Sequence, residues 1–385
     1  MTNKPCLVTC FSVKRRSISG CFGVLLYGVL LVTSSCETNE NDVDNWDRSS
    51  MLSHWSNEII VPAWNQFANT SLEAAHAADT FALRLDSTHF EILRSKYQTA
   101  YGSWQKVSLF EIGPGDQLNI RLRCNTYPTD TTIVKGSSET FMSNNPPNFL
   151  LPSTFTQQGF PALDYLLFSK GSIKKQLEYY SIHPEVVGYI QMLFSNIALL
   201  GNEVYTDWTS GYKTIFVQAD GSSATASVNK MANDFIFHYE KELRAGKVGI
   251  PAGIFSVNTL PQNVESVYHP EFSNELFQVS FNAHVNFFNG YSFDGLSQGP
   301  SFSEYLDHLA ATEDTIPLSD AVNQQFDETQ TALNTISESF KATVENDVFA
   351  LLALYDELQR NTIRIKTEVM QVLNVKIDYV DADGD

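Results

Sequence analysis

VENDVFALLALYDELQRNTIRIKTEVMQV, residues 344–372, decides the fold class. Val344, Val348, Leu351, Tyr355, Leu358, Ile365, Val369 and Val372 recur every three or four residues, with Thr362 as a single polar break. That is the period of one apolar helix face, and it predicts a helix of about eight turns. Working outward, Val186, Ile190, Leu193, Ile197 and Leu200 keep the same step, and Phe90–Phe110 and Val228–Ala245 share the period. Met51–Ala78 carries Ile59, Ile60, Ala63, Trp64 and Phe67 in helical register, with Pro62 starting or kinking a helix. Two stretches interrupt the pattern. Thr126–Pro152 (with YPTDTT, KGSS and NNPPN) is too polar and proline-rich for a core helix, and Lys247–Pro261 (KVGIPAGIFSVNTLP) reads as a joint. The expectation is an all-α protein of two packed helical bundles, residues 51–246 and 261–385, joined by a connector at 247–260. Short strands are expected only in loops and the tail.

Composition narrows the class. With 385 residues, 43% of them hydrophobic, the chain can bury an ample core, which excludes a disordered or fibrous protein. A net charge of −19 argues against a nucleic-acid partner, because phosphate contact needs a basic patch. Lys4, Lys14, Arg15 and Arg16 precede the apolar run Cys21–Val32 (CFGVLLYGVLLV), which is too short to span a bilayer comfortably but suits the core of a secretory leader. Thr33, Ser34 and Ser35 then lead to Cys36 and the polar tract ETNENDVDNWD. Without residues 1–35, 350 residues remain and the net charge becomes −23. Cys124 is then the one cysteine beyond Cys36, which excludes an internal disulfide and a cysteine-based zinc site, and it suits a buried apolar role.

The catalytic signatures HExxH and GxSxG, and glycine-rich phosphate loops, are absent. The eight histidines are scattered, and His76 with Asp79, His183 and His269 suit helix surfaces and starts. Asp381–Asp385 (DADGD) resembles the opening of a calcium loop without its remaining ligands. The most informative stretch is Gly159–Phe168 (GFPALDYLLF): Pro161 suits a first helical turn, Leu163, Leu166 and Leu167 supply a buried face, and Asp164 lies near the positive helix end.

This stretch resembles the signature segment of the imelysin-like family, whose hallmark is GxHxxE. Trp104–Pro114 (WQKVSLFEIGP), Asn125–Asp130 (NTYPTD) and the Trp208, Tyr212 and Phe216 set resemble further family segments, in order, and Lys247–Gly253, Ser303–Leu309 and the terminal DADGD resemble those of the Bacteroidetes branch. The leader with Cys36 resembles a bacterial lipoprotein signal. The resemblance implies a two-domain helical fold with the hallmark near the cleft, held at the cell envelope by outer-membrane lipid on Cys36. It also implies either metallopeptidase activity or a link to iron uptake. The hallmark departs here: Pro161 replaces its His and Asp164 its Glu, while Gly159 is kept. Proline offers no ligand atom, and one carboxylate falls short of the three protein ligands a catalytic zinc needs.

The leading expectation is therefore a binding protein whose cleft is lined by Asp164, Glu111, Asn125, Tyr127 and Asp130. Its ligand would be a small molecule or a metal ion, iron or calcium, with Asp164 the candidate metal ligand. The alternatives are a metallopeptidase in the same cleft and a glycan-capturing surface lipoprotein.

Overall fold

The computed structural model describes residues 44–379, so the leader, Cys36 and the DADGD tail lie outside the described residues. From Asn45 onward the chain forms one compact unit. It is helical almost throughout, and its strands among the described residues are the two-residue pair Thr312–Glu313 and Ile316–Pro317.

Eight helices carry the architecture: α1 Val61–Leu83, α2 Ser87–Val107, α3 Gly159–Phe168, α4 Glu185–Asp207, α5 Ser227–Phe237, α6 Ser273–Phe288, α7 Leu318–Asn334 and α8 Val348–Arg364. In a first set, α1 packs along both α2 and α4, and α3 packs on α4. Their buried faces are those expected from the period, with Ile190, Leu193 and Ile197 of α4 meeting the core that holds Trp64 and Phe67 of α1. In a second set, α8 packs on α7 and on the helical segment His238–Gly249 that continues α5. Helix α6 packs on α2, which links the two sets. Cys124 is buried in the core, as expected of a small apolar residue.

Three expectations are corrected. The long C-terminal helix is broken at Asp347, whose backbone (φ −150°, ψ 70°) leaves the helical region, so Val344 belongs to the separate helix Phe340–Asn346. Asn346 and Asp347 favour such a break because their side chains compete for backbone groups. The break at Thr362 is harmless, because its hydroxyl donates to the Leu358 carbonyl inside the core. Secondly, the segment from Thr126 holds a helix, Thr131–Glu139, that buries only Val134 and Ser138 and depends on its cap. Thirdly, the connector begins later than position 247, because helical structure runs on through Ala252.

That run-on has an unusual geometry. His238–Gly249 is π-helical, with hydrogen bonds closing one residue later than in an α-helix. A second π segment, Trp55–Ile60, precedes α1. Of the four π segments among the described residues, which include Trp208–Tyr212 and Ile365–Val369, these two end two residues before a proline, Pro251 and Pro62. A proline inside an α-helix removes one hydrogen bond and clashes with the preceding turn, and a widened turn accommodates both losses.

Candidate ligand pocket

Helix α3 begins at the hallmark glycine for a steric reason. Gly159 has φ +75°, and a Cβ there would lie 2.2 Å from the Cys124 carbonyl oxygen. Pro161, Leu163 and Asp164 are all buried behind it. Asp164 is well inside the helix rather than at its charged end, and its partners lie outside the helix. Oδ1 accepts from the Ser266 hydroxyl (3.1 Å) and Oδ2 from the Tyr268 amide (2.8 Å). Burial raises its pKa to about 7, against the pull of those two hydrogen bonds.

The segment that Asp164 holds delivers Glu265, which is almost fully buried. Ser266 itself sits at φ 58°, a strained position for a residue with a side chain. Glu265 Oε1 accepts from Gln105 Nε2 (3.0 Å) and Asn125 Nδ2 (2.7 Å), and Oε2 is paired with the Lys247 ammonium. The Tyr101 hydroxyl lies 3.0 Å from Glu265 Oε1 and 2.6 Å from Asn125 Oδ1. Lys247 also donates to Gln105 Oε1 at 2.9 Å. A buried ion pair survives desolvation only when its remaining lone pairs and protons are met in this way.

This network forms one wall of a cavity of about 240 Å³. Asn125, Tyr127, Arg121 and Trp104 line it from the α2 side, and His238, Lys241, Glu242, Gly246 and Lys247 from the π-helical segment. The π geometry is what brings the second group together. At about 100° per residue an α-helix would place Lys247 roughly opposite His238, nine positions earlier, whereas wider turns return it to the same face. Gly246 keeps the wall open, since a Cβ there would come within 3.2 Å of the Tyr127 hydroxyl.

The histidine is oriented by a chain of hydrogen bonds. Ser280's carbonyl can only accept, so His284 Nδ1 donates to it (2.9 Å). His284 Nε2 is then the acceptor for His238 Nδ1 (3.1 Å), which leaves His238 Nε2 with a bare lone pair at the cavity. Burial, and then His284, Arg121 and Lys247, hold the His238 pKa well below the ordinary histidine value, so the ring is neutral.

Of the residues expected at the site, Asn125 and Tyr127 line the cavity and Asp164 stands behind it. Glu111 does not line it. It accepts from the Arg121 amide (2.8 Å), pairs with that side chain at 3.2 Å, and borders a neighbouring cavity of about 500 Å³. Asp234 pairs with the same guanidinium at 2.7 Å, so Arg121 stands between the two cavities. Burial raises Glu111 to about 7 and Asp234 to about 6. Asp130 is elsewhere: it caps the Thr131–Glu139 helix, accepting from the Thr132 and Ile133 amides at 3.1 and 3.0 Å.

The hallmark does not fit a metal. Pro161 has no ligand atom and both oxygens of Asp164 are committed to protein donors. Among the described residues, no three His, Cys, Asp or Glu side chains are placed to hold one. Lys247, Glu265, Glu242 and His238 carry the pocket's chemistry and escape sequence reasoning; the proline two residues beyond a charged helical run was the available signal.

The imelysin (peptidase M75) family model matches residues 60–365. The chain belongs to the imelysin family. An imelysin-like protein from Psychrobacter arcticum superposes with a TM-score of 0.67 at 15% identity, covering 86% of this chain and 97% of its own. A protein from Parabacteroides distasonis described as an iron-regulated protein A precursor gives 0.65 at 16% identity, covering 83% and 95%. No curated protein matches the chain. At these identities the superpositions show the imelysin fold, and the family match covers every helix that walls the pocket.

Proposed function

We propose that this imelysin is a cell-envelope binding protein that captures a small polar ligand in the pocket walled by the π-helical segment, in a process linked to iron supply. The observation that carries the reading is a pocket whose wall keeps hydrogen-bonding capacity: among the described residues His238 Nε2 and the Glu242 carboxylate have no hydrogen-bond partner, and Arg121 and Lys247 act on Glu242 through charge alone. Polar groups that converge on a concave pocket with hydrogen-bonding capacity left point to a ligand. The link to iron draws on the fold shared with the iron-regulated protein of Parabacteroides distasonis. Attachment to the envelope is proposed through lipid on Cys36. No helix of the described residues is long and apolar enough to cross a membrane.

The test is thermal melting of the purified protein with ferrous ion, ferric citrate and a fractionated extract of small polar metabolites. Binding to the native state raises the melting temperature by mass action. The reading requires a rise with at least one of these that is reduced in Glu242→Gln. Unchanged melting with all of them, or a rise that Glu242→Gln leaves intact, sinks it.

A further inference from the structure

The groups in the pocket wall with hydrogen-bonding capacity left are of two kinds. His238 Nε2 and Glu242 can only accept hydrogen bonds, the first by the direction of the His238–His284–Ser280 chain and the second as a carboxylate. They lie four positions apart in the same helical segment, and both border the cavity. Cationic side chains border the same cavity. Lys247 spends two of its three ammonium protons on Glu265 and Gln105. Arg121 spends Nε on the Ser108 carbonyl (2.5 Å), one Nη on Glu111 and the other on Asp234, which leaves one N–H on each Nη. Leu122, Trp104 and Ile250 complete the lining with apolar surface.

We propose that this pocket binds a small zwitterion of the α-amino-acid class. The ligand's ammonium is received by His238 Nε2 and Glu242, its carboxylate faces Lys247 and Arg121, and its side chain meets Leu122, Trp104 and Ile250. The inference rests on the pocket being a ligand site at all, and it adds the ligand's chemistry.

Three features select this class over others. A bare metal cation would find two protein ligands and three cationic side chains in the wall, Arg121, Lys241 and Lys247. A simple anion would leave His238 Nε2 and Glu242 facing acceptor to acceptor. A volume of about 240 Å³ lies below the range of pockets for drug-sized ligands, and suits a molecule of amino-acid size. Both ends of a zwitterion are matched, and ammonium–carboxylate contacts of this kind rank among the stronger hydrogen bonds.

The experiment measures binding of the twenty free amino acids to the purified protein by thermal shift and then calorimetry. Each one that binds is repeated as its N-acetyl derivative, which lacks the ammonium, and as its amide, which lacks the carboxylate. At least one free amino acid is expected to bind, with both derivatives weaker by about tenfold or more. Glu242→Gln, which keeps the side chain's shape, is expected to weaken binding by a similar factor, and His238→Phe to do the same. Because His238→Phe can disturb the buried histidine pair, Glu242→Gln decides if that variant fails to fold. Binding of the N-acetyl form as tightly as the free form overturns the proposal, as does no binding by any of the twenty. If no amino acid binds while ferric citrate or a metabolite fraction raises the melting temperature in a Glu242-dependent way, the zwitterion is wrong and the pocket remains a ligand site.

Discussion

The hallmark helix and the π-helical segment present opposite kinds of polarity. In Gly159–Phe168 the one carboxylate is spent: Asp164 gives both oxygens to Ser266 and Tyr268 and so holds the strained turn that delivers Glu265. In His238–Gly249, Lys247 is partly spent, and Glu242 and His238 Nε2 make no hydrogen bond among the described residues. The first segment behaves as a brace and the second as a surface for something else to complete. In this imelysin the hallmark carboxylate is structural, and the groups with free hydrogen-bonding capacity sit on another helical segment.

The sharpest way to break that contrast is to damage the brace. Gly159→Ala places a Cβ within 2.2 Å of the Cys124 carbonyl at a positive φ, and should cost about 3 kcal/mol or more. Low soluble yield, or a melting temperature lowered by many degrees, is the expected result; a near-native melting curve would show that α3 can start elsewhere. Lys247→Met comes next. It leaves the buried Glu265 carboxylate without its countercharge, with an expected loss of about 3–5 kcal/mol in urea unfolding. Adding Glu265→Gln should recover most of that loss, since the charge to be neutralised is gone. A double variant as unstable as the single one would mean that Lys247 matters for packing rather than for charge.

Much of this arrangement was legible from sequence, and the rest was hidden for definable reasons. The stripes of α4 and α8 are readable because apolar burial repeats with the α-helical period. Asn125 and Tyr127 follow from the family segment that holds them. The π-helical wall was hidden because any α-helical projection of HYEKELRAGKVG puts His238 and Lys247 on opposite faces, so a charged helix followed by a linker was the natural reading. Glu265 was hidden because it arrives on a non-helical turn whose shape is fixed by Asp164, 101 positions earlier in the chain. Side chains satisfied by distant partners leave no local period to find.

A smaller effect separates the two regions by pH. Asp164 ionises near 3.8 when exposed and near 7 in the folded protein, so between those values the folded state holds a proton that the unfolded state has released. Stability from this group is therefore full below about pH 4 and is lost as pH rises to about 7, at no more than about 1.4 kcal/mol per pH unit. Asp164→Asn removes the proton and should flatten that part of the curve. Glu111 and Asp234 are raised into the same range, but they titrate in both proteins and cancel in the difference. Urea unfolding at half-unit steps from pH 4.5 to about 7.5 checks it. Parallel curves for the two proteins would mean that Asp164 is not the group whose burial sets the slope.

The smallest expected effect decides whether Asp130 belongs to the brace, to the pocket or to neither. Its carboxylate accepts from the Thr132 and Ile133 amides, two of the first-turn donors that the helix Thr131–Glu139 cannot satisfy internally. Removing such a cap costs about 1 kcal/mol, and serine replaces it with little loss because its hydroxyl accepts the same bond. Asp130→Ala should thus lower stability by about that amount and Asp130→Ser by much less, with ligand affinity at the His238–Glu242 pocket unchanged in both. A cap needs an acceptor atom, whereas a pocket residue needs its charge and reach. If Asp130→Ser keeps stability and still weakens binding by tenfold, Asp130 acts on the ligand, and the boundary between scaffold and pocket must be drawn to include the Asn125–Asp130 segment as a whole.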